Sequence, residues 1–141
     1  MRLELTKRGD YAVRAMIALA GGDDTGLLSA RRIANAMAIP VRFLPQVLRD
    51  LHRAGLVEAL PGRTGGYRLA RSPDSITLLD VIEAVEGDSR RRTCALRGGP
   101  CGAESHCAVH DVFFAAQEAL LCTLREASLA TVSARPVLAL G

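Results

Sequence analysis

Residues 29–69 read SARRIANAMAIPVRFLPQVLRDLHRAGLVEALPGRTGGYRL, and their pattern decides the fold. Ser29 is predicted to cap a short helix ending near Met37, because its side-chain oxygen can accept a hydrogen bond from an amide of the first turn. A tight turn at 38–40 separates it from a second helix, which is predicted over about 41–54. This order of helix, tight turn and helix is typical of a helix-turn-helix.

The end of the same stretch predicts a β-hairpin. Two short apolar segments, 56–60 and 67–69, flank the glycine-rich turn PGRTGG at 61–66. A hairpin after a helix-turn-helix makes a winged helix-turn-helix, in which the second helix enters the DNA major groove and the hairpin contacts the backbone or minor groove. The fold class predicted is therefore mainly α with a small β-hairpin.

Basic residues are concentrated in the first half of the chain. Residues 1–71 carry 12 Lys+Arg and 6 Asp+Glu, a charge of +6, whereas residues 72–141 carry 6 and 9, a charge of −3. A basic half is a candidate nucleic-acid surface, although a solvated basic face without a partner has the same charge. The predicted contacts with double-stranded DNA are the polar residues on one face of the second helix and the arginine of the hairpin turn: Arg42, Gln46, Arg49, Arg53 and Arg63.

Two further helices are predicted around this motif. Residues 7–20 place apolar side chains at i, i+3, i+4 and i+7, and an apolar helix within 72–87 would pack against the others. Residues 1–87 are thus predicted to form one winged DNA-binding domain. A chain of 141 residues with 49% hydrophobic residues can bury a core, which excludes a disordered chain.

A cysteine-rich segment at 94–110 reads CALRGGPCGAESHCAVH. It combines three cysteines at C-x6-C-x5-C spacing with a histidine three positions later: Cys94, Cys101, Cys107 and His110. Soft and borderline metals prefer thiolate and imidazole ligands, so the loop at 88–107 is predicted to bind a metal or an iron-sulfur cluster. The spacing is equally compatible with zinc, and a reduced loop with idle thiols or a disulfide are the alternatives.

Residues 108–132 are predicted to form a dimerisation helix, and no structure is assigned to the tail at 133–141. One seam of the helix is apolar at 4-3-4 spacing: Val109, Phe113, Ala116 and Leu120. One small domain cannot cover this much apolar surface, so a homodimer is predicted, which would match a palindromic operator. Cys122, in the same helix, is predicted to be a small buried hydrophobic residue.

Several functional classes are excluded. No apolar run approaches the length of a membrane span, and MRLELTKRGD lacks a signal-peptide apolar region, so a cytoplasmic protein without membrane contact is expected. Thiols stay reduced in the cytoplasm, which favours metal chemistry over disulfides. The chain contains no C-x-x-C pair, no phosphate-cradling loop and no nucleophile triad, which disfavours a thiol-redox protein and any other enzyme.

Taken together, these motifs resemble the iron-sulfur winged-helix transcription regulators of the IscR and NsrR type. The resemblance covers about residues 1–132 and rests on four segments: TKRGDYAVRAM, IPVRFLPQVLRDLHRAGLV, GRTGGYRLARSPDSITLLDVIEAVEG, and the cysteine triad with its following helix. It implies a dimeric DNA-binding regulator, more often a repressor, that senses nitric oxide, redox or iron status. The alternative is a zinc-bound or cluster-free regulator of the same fold.

The resemblance also implies ligands for a 2Fe-2S or 4Fe-4S cluster. Cys94, Cys101 and Cys107 match the three cysteine ligands. In the IscR-like branch the fourth ligand is a histidine at the position of His110, whereas the NsrR-like branch uses an acidic residue of the partner's first helix, which Asp10 matches. Both residues are present, so the fourth ligand and the cluster type stay open. In the wing, Pro61-Gly62 replaces the usual Arg-Gly, which leaves Arg63 as the nearest arginine.

Overall fold

The computed structural model describes residues 1–22, 25–90, 93–96 and 106–134. These residues form helices and one hairpin in this order: α1 (Lys7–Ala20), α2 (Ala30–Met37), α3 (Leu44–Arg53), β1 (Val57–Leu60), β2 (Gly66–Leu69), α4 (Leu78–Glu86), α5 (His110–Glu126) and α6 (Leu129–Ser133). The mainly helical fold with a small hairpin is as predicted. Within the described ranges, no helix combines the length and the apolar character that crossing a bilayer requires.

The two helices of the central motif begin differently. Ser29 caps α2 as predicted, since its side chain accepts a hydrogen bond from the Arg32 amide. The second helix was predicted from residue 41, but Val41–Phe43 form a 3-10 turn and α3 begins at Leu44. Pro45 lies in the first turn of α3, where the lack of an amide hydrogen costs nothing.

The hairpin is anchored to the segment that precedes α2. Strands β1 and β2 pair antiparallel, and an isolated bridge joins Leu28 to Tyr67 with N–O distances of 2.9 and 2.8 Å. Gly66 permits this approach because it has a φ of 153° and a Cβ there would lie 2.6 Å from the Leu28 carbonyl oxygen. The wing and the start of α2 are therefore held together by backbone hydrogen bonds.

One apolar core unites the first four helices. Apolar spacing in each helix places its larger side chains inward, where burial is worth roughly 1.5–3 kcal/mol for each large side chain. The core includes the following buried residues: Tyr11, Ala12, Ala15, Met16, Leu19, Ile33, Ala34, Leu44, Val47, Leu48, Leu51, Leu56, Val57, Ile76, Val81, Val85 and Leu129.

The C-terminal part corrects the predicted extent of the dimerisation helix. Helix α5 covers His110–Glu126 and does not extend to residue 132, because Ala127 adopts an extended conformation and Ser128 caps a new helix, α6. The Leu129 amide donates to the Ile76 carbonyl at 2.7 Å, and the Leu129 side chain, 1% exposed, enters the core. The end of α5 is thus fastened to the four-helix core.

Candidate DNA-binding surface and metal-ligand loop

Helix α3 presents a polar face to solvent, as its spacing predicts. Gln46, Arg49 and Arg53 are exposed on α3, and Arg42 is exposed in the 3-10 turn before it. The Arg42 guanidinium lies 4.9 Å from the centroid of the Phe43 ring, close enough for a cation–π contact. This surface offers planar hydrogen-bond donors that suit base edges and phosphates.

The acidic residue of α3 is turned away from this face. Asp50 is only 9% exposed, and its carboxylate accepts a hydrogen bond from the Arg8 guanidinium of α1. Within the described ranges, the predicted DNA-contacting arginines have no carboxylate partner, whereas Arg8, Arg14 and Arg68 each have one. The charge on the α3 face is therefore available to an external polyanion.

Two of the three predicted cysteine ligands lie side by side. The Sγ atoms of Cys94 and Cys107 are 3.6 Å apart, far beyond a disulfide bond length of about 2.05 Å. Two thiolates on one tetrahedral metal, with metal–sulfur bonds of about 2.3 Å, would be separated by roughly 3.8 Å. The pair therefore fits thiolate ligation of a metal centre. The third ligand, Cys101, lies outside the described residues.

His110 lines the same cavity as this pair, whereas Asp10 is not among the residues that line it. Cys94, Cys107 and His110 line one open cavity of about 570 Å³, and the His110 ring stacks on His106 with centroids 3.7 Å apart. Among the described side chains, no three of His, Cys, Asp or Glu are arranged to hold a metal ion by themselves. A complete ligand set at this cavity therefore needs a further donor.

Asp10 is engaged within its own helix. Its two carboxylate oxygens accept hydrogen bonds from Nε and Nη2 of Arg14, at 2.7 and 3.0 Å. Arg14 also donates to the Met37 carbonyl at the end of α2, at 3.2 Å. To ligate a metal in a partner subunit, Asp10 would have to exchange part of this contact for a metal bond.

The apolar seam of α5 is accessible, as a partner-binding face requires. Phe113 and Leu120 are 43% and 40% exposed, Ala116 is exposed and Val109 is half-buried. Leu121 is buried by the winged domain instead, so this helix has an inner and an outer apolar side.

The prediction that Cys122 is buried was wrong. Cys122 is exposed, and its Sγ donates a hydrogen bond to Oε1 of Glu126 at 3.5 Å. This hydrogen bond, together with the charge of Glu126, raises the pKa of the Cys122 thiol. Periodicity alone could not assign its side of the helix, because α5 carries apolar residues on more than one side.

Comparison with known proteins agrees with this architecture. The model of the family described as "Rrf2: Iron-dependent Transcriptional regulator" matches residues 5–135. The HTH-type transcriptional regulator IscR of Cereibacter sphaeroides is 40% identical over 86 residues, which cover 60% of this chain and 56% of that protein. The chain thus spans less than two thirds of that relative's length.

Two solved structures share the fold over nearly the whole chain. CymR, the global cysteine regulator of B. subtilis, superimposes with a TM-score of 0.79 at 26% identity, covering 94% of this chain and 98% of that one. The IscR of T. potens gives a TM-score of 0.77 at 27% identity, with 99% and 94% covered. The chain belongs to the Rrf2 family and is a DNA-binding transcriptional regulator with a winged helix-turn-helix fold, not an enzyme.

Proposed function

We propose that this chain acts as a homodimeric repressor whose operator affinity depends on an iron-sulfur cluster held by Cys94, Cys101 and Cys107. The 3.6 Å separation of the Cys94 and Cys107 sulfurs is the observation that carries the proposal. The iron-dependent description of the family and the likeness to two IscR proteins support it. Such a cluster supplies reactivity toward nitric oxide and oxygen and sensitivity to iron supply.

His110 is our preferred fourth ligand. It lines the same cavity as Cys94 and Cys107 and lies at the first turn of α5. An imidazole is exchanged more easily than a fourth thiolate, which suits a sensor. Asp10 of the partner subunit is the other candidate, and its use would carry the cost of weakening the pair with Arg14.

The loop is well placed to influence the dimer. Cys94 and Cys107 share their cavity with Phe113 and Leu120 of the α5 seam, so a change at the sulfurs acts on the face that we assign to dimerisation. The Arg90 guanidinium also donates to the Glu118 carboxylate of α5, which raises the pKa of Arg90. For regulation, the bound group must favour one of two arrangements of the α5 pair over the other.

Two copies of α3 would then read the two halves of an operator. In a dimer with two-fold symmetry, the recognition helices match palindromic half-sites about one helical turn, or a multiple of it, apart. Arrangements of α5 that change this spacing lower operator affinity. We assign residues 1–87 to the winged domain, 88–107 to the ligand loop and α5 to dimerisation.

The decisive test is anaerobic purification followed by an optical spectrum with iron and acid-labile sulfide counts per chain. We expect visible absorption with matched iron and sulfide, lost in Cys107→Ala and kept in Cys122→Ala, which removes an exposed thiol remote from the loop. Operator affinity should also differ between the loaded protein and Cys107→Ala. Equal affinity of the two would refute cluster control.

A regulator of the same fold without a cluster is the second candidate, because the CymR structure matches as well as IscR does. Metal analysis separates the two. Colourless protein that carries zinc, or no metal even after anaerobic reconstitution, would support this alternative and leave DNA binding intact.

Base recognition by α3 gives a separate prediction. Gln46→Ala and Arg49→Ala should each cost about 1–3 kcal/mol against the preferred operator and relax sequence preference at one base pair. Selection of sites from a random duplex library by wild type and variants measures this preference. Arg53→Ala, at the far end of α3, serves as a comparison expected to weaken all sequences alike. If Gln46→Ala and Arg49→Ala select the same sites as wild type, recognition through α3 is contradicted.

A further inference from the structure

A polar cleft separates the wing from the first turn of α2. It has a volume of about 370 Å³, and its lining includes Ser29 and Arg32 of α2 and Arg63 and Thr64 of the wing. The hydroxyl of Ser29 already accepts the Arg32 amide, so the backbone at this end of α2 is fixed. Among the described residues that line the cleft, Arg32 and Arg63 carry the positive charge.

Neither arginine forms an ion pair with a carboxylate of the described residues. Both Arg32 and Arg63 are exposed. By contrast, Arg68, the other arginine of the hairpin, pairs with Glu58 at 2.8 Å. Two guanidinium groups therefore line one cleft without an ion pair to any described carboxylate, and an anion bound between them would be attracted by both.

The backbone keeps the two sides of the cleft at a fixed separation. The Leu28–Tyr67 bridge ties the residue before Ser29 to the strand that follows the wing tip. Gly65 tightens the turn, since a Cβ there would lie 2.0 Å from the Leu60 carbonyl oxygen. A site whose walls are fixed in advance loses little conformational entropy on binding.

We propose that Arg32 of α2 and Arg63 of the wing together hold one backbone phosphate of bound DNA. The guanidinium group donates in a fork that matches phosphate oxygens, and the cleft is open to solvent as a duplex backbone requires. This clamp contributes affinity without sequence preference and fixes the distance of the wing from the duplex. Helix α2 thereby takes part in binding, in addition to α3 and the wing.

The test measures binding to a fluorescein-labelled duplex of mixed sequence by anisotropy over a range of salt concentrations. Arg32→Ala and Arg63→Ala are expected to lower the affinity about tenfold each. In the double variant the affinity should fall by less than the product of the two single fold-losses, because both arginines contact one phosphate. The double variant should also reduce the salt slope by roughly 0.9 per bound chain.

Arg31→Ala is the matched control, because Arg31 is an exposed arginine of the same helix that does not line the cleft. It should change the affinity less and show no coupling to Arg63→Ala. The proposal is overturned if the affinity losses of Arg32→Ala and Arg63→Ala simply multiply in the double variant. It is also overturned if each loss is no larger than that of Arg31→Ala. Arg31, Arg32 and Arg63 do not line the cavity of Cys94 and Cys107, so metal content is expected to be unchanged in these variants, and failure here is distinct from failure of cluster control.

Free phosphate is the other possible occupant of such a cleft. Inorganic phosphate alone, at millimolar concentration, is expected to leave the melting temperature of wild type and of the double variant equally unaffected. Stabilisation of wild type alone, with unchanged DNA affinity in the arginine variants, would assign the cleft to a free anion and overturn the proposal.

Discussion

Replacing Phe113 with aspartate is expected to convert the protein into a monomer and to lower its operator affinity by at least about 100-fold. Phe113 is 43% exposed in the middle of the α5 seam, with Ala116 and Leu120 on the same side. A carboxylate placed there would be buried without a partner when two seams meet, which costs several kcal/mol. A monomer engages one half-site and loses the avidity that linkage of two recognition helices provides.

Sedimentation or light scattering gives the oligomeric state, and anisotropy with a palindromic duplex gives the affinity. Ala115→Asp is the control, since residue 115 is exposed and lies about 200° further round the same helix. It introduces the same charge into α5 outside the seam and should stay dimeric. A Phe113→Asp protein that remains dimeric with wild-type affinity would show that another surface joins the subunits.

The winged domain could be predicted because its signals are local. Ser29 caps α2 where a serine precedes an apolar periodic segment, and the four-residue strands pair around a turn that contains Gly62 and Gly65. The start of α3 was placed three residues too early, since periodicity does not distinguish a 3-10 turn from the first turn of an α-helix. Local patterns therefore predicted the elements better than their ends.

Long-range contacts explain what could not be predicted. Helix α6 is five residues long, too short for a periodic pattern, and it is held by backbone bonds to residues 76–78. The Arg32–Arg63 cleft exists because Leu28 pairs with Tyr67, which lies 39 positions later in the chain. Neither feature leaves a signal within one window of sequence.

At the candidate metal site, too, some features could be predicted from local sequence and others could not. The cysteine-rich segment predicted that three thiols would face one point. Cys94 and Cys107 do lie together, whereas Cys101 lies outside the described residues, so the three-cysteine site stays a prediction. The Asp10–Arg14 pair was also accessible to sequence reasoning, because acidic and basic residues four apart on a helix commonly pair. The pairing of Asp10 with Arg14 leaves the choice of fourth ligand to the cavity, and our proposal of His110 rests on its lining the same cavity as Cys94 and Cys107.

Leu129→Ala is expected to destabilise the protein by about 2–5 kcal/mol, the usual cost of truncating a fully buried leucine. Leu129 is 1% exposed and belongs to the same core as α1, although it lies after α5. Its removal leaves a cavity where α6 meets α1 and loosens the attachment of α5 to the winged domain. Urea unfolding should show a lower midpoint with a similar m-value.

Leu3→Ala is the matched control, because it makes the same truncation at a side chain that is 78% exposed, and its effect should stay within about 0.5 kcal/mol. All proteins are compared at one concentration, since the proposed dimerisation would contribute to apparent stability. If Leu129→Ala unfolds at the wild-type midpoint, α6 is not part of the cooperative core and α5 is free of the winged domain at its C-terminal end. A large fall in the free energy of unfolding would show that the end of α5 and the DNA-binding core unfold as one unit. The proposed regulation requires such a connection, because a change at the ligand loop must reach the recognition helix α3.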